Sequence, residues 1–440
     1  MTLAALPLRR ATATAVAVAL VASCATTSLP PIPEAGPGFE PARDERRLWD
    51  EARDQERRLL GRVTLWDDPL LDDYLLDVTL GLVDPRIARE TPFALRVRVV
   101  DEPTANAFAF PHGPLYVHSG LLARLESEDQ LAMVLAHELA HVEHRHLLRL
   151  QRRARNRQIA LLSAAIGLSI LLGREQAEAL DRGHYGRAAT IGVLADVVIG
   201  LGLGLVFLAA INGYGRDLEA EADAVAFDKL EDAGYDVADG ARIYDILLED
   251  APDPGSKFEQ YFLSSHPALE DRIASARAYL ASHPRRAAAA HRPRDPTRFA
   301  RRIRPLLRHY VGRLVDAGEI DRAEAAVERL LDVDPDDPEA LRAFAAVRVA
   351  RSRTAPPERR TALLAEAIDA LESAMAARPD DPDLAWELGL AAFRAGRRQL
   401  ACDALGRYLA LAPGGENAAR ARDYLAELRR DGACAGPGAD

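Results

Sequence analysis

His137-Glu138-Leu139-Ala140-His141 sets two imidazoles four residues apart, with a carboxylate directly after the first. On a helix, residues four apart share a face, so both rings reach one metal ion. Glu138 projects beside them, where a carboxylate takes a proton from a metal-held water. A catalytic zinc keeps one position open and takes three protein ligands, so a third donor is required. No histidine follows six residues after His141. His144 and His146 lie on the same expected helix and do not turn easily to the same point; His144 reads as a polar residue of the helix face. The run Asp217-Leu218-Glu219-Ala220-Glu221-Ala222-Asp223-Ala224 offers the missing donor. Glu219 and Asp223 stack on one helix face, Glu219 as zinc ligand and Asp223 as the group that orients a ligand imidazole. Such an acidic run is by default a solvated surface; the two histidines upstream tip the reading toward a centre of one Zn2+ per chain. Structural zinc sites have four protein ligands, often cysteine, and neither Cys402 nor Cys434 lies near the motif.

The elements that must position these groups are legible from pattern. Residues 46–60 read as a charged helix and residues 68–82 as an amphipathic one, with Leu71, Tyr74, Leu75, Val78 and Leu82 at helical spacing. Phe93 to Val100 alternates and is rich in β-branched residues, predicting a strand. Ala107 to Phe110 and Leu115 to Val117 read as two more strands around the turn Pro111-His112-Gly113-Pro114. Ser127 to Leu150 reads as one long helix, with Glu126, Glu128 and Asp129 at its positive end. The fold class expected is α+β and mostly helical, with a small sheet.

H-E-x-x-H followed, after an apolar interval, by E-x-x-x-D resembles the HtpX/BepA family of gluzincin-type zinc peptidases. Asn106-Ala107-Phe108-Ala109-Phe110-Pro111 resembles that family's Asn-Ala-Phe-Ala strand and turn. Leu121-Leu122 with Glu128, Leu131-Ala132 and Val134-Leu135-Ala136 leads into the motif as it does there, and His266-Pro267 with Arg272-Ile273 resembles its late His-Pro…Arg-Ile element. The resemblance covers about residues 46–285. It implies that Asn106, Ala107 and Phe108 meet an extended substrate, that Glu138 is the general base, and that His266 lies near the metal as a further ligand or gate. Arg272 is expected either at the oxyanion of the tetrahedral intermediate or paired with Asp223 or Glu270. The family's turn is commonly Pro-Gly-Gly, so the part played by His112 is open.

Residues 1–23 read as a signal peptide: Arg9 and Arg10 precede the apolar run Ala11 to Ala22, and Val21-Ala22-Ser23-Cys24 resembles a bacterial lipobox. Lipidation at Cys24, a tether over residues 24–45, and no Asp at residues 25 or 26 imply the periplasmic face of the outer membrane. The apolar stretches Ile159 to Leu172 and Ala188 to Ile211 are expected as surface-apposed or buried helices, with a membrane hairpin over residues 159–211 as the alternative. Residues 286–299 read as a linker. Beyond them Ala317-Gly318 precedes Pro335 by the interval at which Ala395-Gly396 precedes Pro413, and Asp334-Pro335-Asp336-Asp337-Pro338 is echoed by Arg378-Pro379-Asp380-Asp381-Pro382. This punctuation resembles tetratricopeptide repeats, an α-solenoid over residues 300–430 with extra residues in its middle repeat, a capping helix at Asn417 to Leu428 and a tail at 431–440. Whether Cys402 and Cys434 pair is left open.

A net charge of −11 supplies no basic footprint, which argues against a nucleic-acid partner. The expected activity is zinc-dependent endopeptidase cleavage of unfolded or misassembled envelope proteins, with the repeats meeting outer-membrane assembly machinery. The competing readings are a non-enzymatic lipoprotein scaffold or chaperone, and a membrane-embedded protease.

Overall fold

The computed structural model describes residues 27–35, 39–85, 87, 94–157, 159, 215–249, 269–283, 295 and 297–434. The lipidation site expected at Cys24, the gate expected at His266 and all but one residue of the stretch 159–211 lie outside the described residues. By contacts the chain divides into two units, residues 1–121 with 129–293, and residues 122–128 with 294–440. Among the described residues no helix is long and apolar enough to cross a membrane.

The first unit opens with helices α1 (Arg43–Leu60) and α2 (Pro69–Leu82). Asp68 starts α2 by accepting from the amides of Leu70 and Leu71 at 3.1 Å, and Pro69 occupies the first helical position, where its missing N–H costs nothing. The five apolar residues spaced for one face are all buried. Strands β1 (Arg96–Val100), β2 (Ala107–Ala109) and β3 (Pro114–His118) form one sheet in the order β1-β3-β2. The central β3 runs parallel to β1 and antiparallel to β2, pairing Val99 with Val117 and Phe108 with Tyr116. Among the described residues this arrangement leaves β2 as an edge strand. The turn between β2 and β3 closes through Phe110 and Pro114, and Gly113 takes φ +118°, which a side chain disfavours. His112 is buried in that turn, its Nε2 3.1 Å from the Glu56 carboxylate of α1, and Tyr116 donates to the same carboxylate at 2.5 Å. Its part is therefore to tie the turn to α1.

Helix α3 (Ser119–Arg124) leads to α4 (Glu128–Glu143), which carries the histidine motif. Leu131, Ala132, Met133, Leu135, Ala136, Leu139 and Ala140 are all buried, so α4 is enclosed by its neighbours. The single helix expected from Ser127 to Leu150 is interrupted. Residues 144–145 form a turn, Arg145 takes φ +56°, and helix resumes at His146 and runs through residue 157. The cause is long-range: Arg145 donates to the Glu45 carboxylate at 2.9 and 2.7 Å, and its guanidinium lies 4.7 Å over the Phe39 ring. Helices α5 (Arg216–Ala233), α6 (Val237–Glu249) and α7 (Leu269–Ser282) complete this unit. Lys229 of α5 sets its ammonium 2.7 Å from the buried Glu143 of α4 and donates to the Leu82 carbonyl at 3.0 Å, fixing the register between α4 and α5.

The second unit is helical: α8 (Arg298–Ala317), α9 (Ile320–Val333), α10 (Pro338–Ser352), α11 (Pro357–Ala377), α12 (Pro382–Arg394), α13 (Arg398–Leu411) and α14 (Ala418–Arg430). The repeating punctuation has a local cause. Asp337 and Asp381 cap the starts of α10 and α12 with Pro338 and Pro382 at the first position, and Gly318 and Gly396 take left-handed φ of +79° and +71° where α8 and α12 end. The extra residues of the middle repeat lengthen α11 to 21 residues, and its Leu363, Leu364, Ala367, Ile368 and Leu371 are buried. Helix α14 supplies the cap expected near Asn417 to Leu428. Cys402 of α13 and Cys434 are joined in a disulfide.

Candidate active site

Three helices of the first unit bring the motif residues together. His137 and His141, one turn apart on α4, have their Nε2 atoms 3.0 Å from each other. Glu219 enters from the first turn of α5, its carboxylate oxygens 3.3 Å from Nε2 of His137 and 3.6 Å from Nε2 of His141. Ligand atoms bound at zinc distances in a tetrahedron stand about 3.3 Å apart. Two imidazoles and one carboxylate at these separations therefore fit a zinc ion, with a fourth position left for water. Cys402 and Cys434 are bonded to each other, so neither is available as a ligand.

Asp223, one turn beyond Glu219 on α5, stands 2.8 Å from Nδ1 of His137. With Nε2 turned to the metal position, Nδ1 carries the ring proton and donates it to Asp223. Arg272 of α7 grips Asp223 from the other side, Nε donating to Oδ2 at 2.9 Å and Nη2 to Oδ1 at 2.7 Å. The same Nη2 lies 3.1 Å from Nδ1 of His137; because Nδ1 is itself a donor, this is a close approach of two donors rather than a bond. Tyr244 of α6 donates to Asp223 at 2.8 Å beneath the Arg272 guanidinium. Burial pushes the Asp223 carboxyl up, but Arg272 and His137 outweigh it and hold the group well below the usual carboxylate range. Asp223 is thus a fixed anion. Burial and Arg272 pull His137 down, while hydrogen bonds to Asp223 and Glu219 prevail and raise it to about 9. The two carboxylates demand positive charge at this point, which a bound zinc satisfies without a proton.

Of the two duties expected of Arg272, the geometry brings it to Asp223. Its Nη1 also stands 3.8 Å from Glu219. Glu138 lines a cleft together with His137, Ala107, Val134, Tyr244 and Arg272. Of the edge-strand residues, Ala107 reaches this cleft. The Phe108 ring stacks on Tyr116 at 5.3 Å instead. Asn106 is buried and accepts from the His118 amide through its carbonyl at 2.9 Å.

Tyr244 escaped the sequence reading, and His146 was named there only to be set aside as a ligand. Tyr244 sits at an ordinary apolar spacing of α6 and carries no signal. His146 is fully buried, and its Nδ1 lies 2.8 Å from Nδ1 of His141; only the break at Arg145 makes that reach possible. His144 stands 2.9 Å from Glu221, which also accepts from Arg149 at 2.7 Å.

Residues 70–280 match the model of peptidase family M48, and residues 304–347 match a tetratricopeptide repeat. The beta-barrel assembly-enhancing protease of Escherichia coli (strain K12) is 34% identical over 221 residues, covering 50% of this chain and 41% of that protein. A putative beta-barrel assembly-enhancing protease of Vibrio cholerae is 32% identical over 240 residues, covering 53% of this chain and 44% of that protein. The mitochondrial metalloendopeptidase OMA1 of Danio rerio is 28% identical over 177 residues, covering 40% of this chain and 34% of that protein. The chain therefore matches less than half the length of each of these relatives. It carries a peptidase family M48 domain, followed by tetratricopeptide repeats.

Proposed function

We propose that this protein is a zinc-dependent endopeptidase acting on unfolded or misassembled envelope proteins at the periplasmic face of the outer membrane. The observation that carries the reading is the convergence of His137, His141 and Glu219 on one point, with Glu138 in the adjoining cleft. Zinc held there would polarise the scissile carbonyl and lower the pKa of a bound water toward neutrality. His137, His141 and Glu219 would hold the ion, and Asp223, clamped by Arg272 and Tyr244, would keep the His137 ring aimed. Glu138 would take a proton from the attacking water as the new C–O bond forms, and pass it to the leaving amine as the tetrahedral intermediate collapses and the peptide C–N bond breaks. Among the described residues β2 is an edge strand, and with Ala107 at the cleft it suits an extended substrate strand bound through its backbone. Backbone recognition discriminates little between sequences, which fits unfolded clients.

The relatives named as beta-barrel assembly-enhancing proteases support clients among outer-membrane proteins, and the repeats offer a surface for a protein partner in that assembly machinery. The Cys402–Cys434 disulfide fits an oxidising compartment such as the periplasm. Anchoring through lipidated Cys24 and gating by His266 remain part of the proposal on sequence grounds. To test the reading, degradation of reduced, unfolded casein is followed with the full chain, then after chelation, then after zinc is restored. Loss on chelation and recovery with zinc are expected. Zinc bound at about one per chain with no cleavage of any unfolded protein would favour a scaffold instead.

A further inference from the structure

We propose that His146 is a positioning residue for the metal centre, delivered by the break at Arg145 to hold His141 in the tautomer that turns Nε2 to the zinc. This rests on the reading of His141 as a ligand. In an uninterrupted helix, residues five apart point about 140° away from each other, and His146 would face away from His141. The break removes that obstacle. Arg145 is the single non-glycine residue with positive φ among the described residues, a conformation that L-residues avoid. It is kept there by Glu45 of α1, whose buried carboxylate receives two hydrogen bonds from the Arg145 guanidinium. A strained residue secured from a distant helix points to a local arrangement worth securing, and what it secures is the 2.8 Å approach of Nδ1 of His146 to Nδ1 of His141.

Proton bookkeeping fixes the direction of that contact. Nε2 of His141 faces His137 and Glu219 and gives its lone pair to the metal, so its Nδ1 carries the proton. Nδ1 of His146 must then accept, which places the His146 proton on Nε2. That atom stands 3.6 Å from Glu221, an anion already gripped by Arg149 at 2.7 Å. A negative charge beside Nε2–H favours the tautomer required.

The proton on Nε2 of His146 also bears on a second cluster. His144, His146 and Glu221 bring donor atoms within 4.8 Å of one another, as a metal site would. While His141 holds zinc, Nε2 of His146 is protonated and has no lone pair to give, and Arg149 supplies the cation that Glu221 takes. Among the described residues this leaves one position for zinc, and the second cluster serves as its support.

Zinc affinity of the full chain, measured by competition with a chromophoric chelator and without substrate, tests this. His146→Asn keeps an acceptor near the place of Nδ1; His146→Leu removes it. His146→Leu is expected to bind zinc about 10- to 100-fold more weakly, and His146→Asn close to the wild type. Wild-type affinity in His146→Leu, or an equal loss in both variants, overturns the proposal. If His146→Leu does not fold, nitrogen-resolved NMR of the zinc-loaded wild type decides: His146 protonated at Nε2 is expected, and His146 protonated at Nδ1 overturns it. A chain that behaves as expected here yet cleaves nothing would contradict the peptidase reading alone.

Discussion

At the scale of the residue, the centre is a set of charges each held by the next. His137 is aimed by Asp223, Asp223 is gripped by Arg272 and Tyr244, and all four are buried. Arg272→Ala leaves Asp223 buried without its main counter-ion, so zinc affinity is expected to fall about 10- to 100-fold, as for loss of other supporting groups around metal ligands. A chelator titration checks this, and unchanged affinity would return Arg272 to a role at the substrate. The placement of Glu138, Glu219 and Asp223 around the two histidines was legible in the sequence because spacings of one and four have fixed meaning on a helix. Arg272 was legible as present but not as to duty, since its partner lies 49 residues away. Tyr244 gave no sign at all: a tyrosine at core spacing looks the same whether its hydroxyl meets water or a buried aspartate.

At the scale of the element, α4 and α5 form the site and α1 and α7 brace it. The three strands, the two N-terminal helices and the motif helix follow from periodicity and capping. The end of the motif helix does not. Nothing in His144-Arg145-His146 marks a left-handed residue, because arginine has no intrinsic preference for that conformation, and the carboxylate that stabilises it comes from Glu45, 100 residues earlier. Glu45→Ala strands a guanidinium whose side chain is only 9% exposed, and is expected to cost about 3 kcal/mol. Chemical denaturation followed by far-UV circular dichroism measures this; a cost near zero would mean the break is held by other contacts.

At the scale of the whole molecule, a metal-site unit and a repeat unit share one chain, and each has its own stabilising device. In the repeats the device is the Cys402–Cys434 disulfide, which closes a loop with a sequence separation of 32 between Cys402 of α13 and the segment after α14. Its pairing was open in the sequence because a cysteine in a tail can fold back or stay free, and only the packing of α14 decides between them. By loop-closure entropy, Cys434→Ser is expected to lower the stability of the repeats by about 3–4 kcal/mol. Thermal melts under oxidising conditions read this directly, and a reducing agent should bring the wild type to the same melting temperature as the variant.

The most direct test of the account is the cleavage of an unfolded protein by Glu138→Gln beside the wild type, with the zinc content of both measured in the same samples. In the proposed mechanism Glu138 takes part in proton transfer without holding the metal, so the variant should keep about one zinc per chain and lose at least about 100-fold in rate. Cleavage at the wild-type rate by a zinc-loaded Glu138→Gln chain would contradict the assignment of the active site.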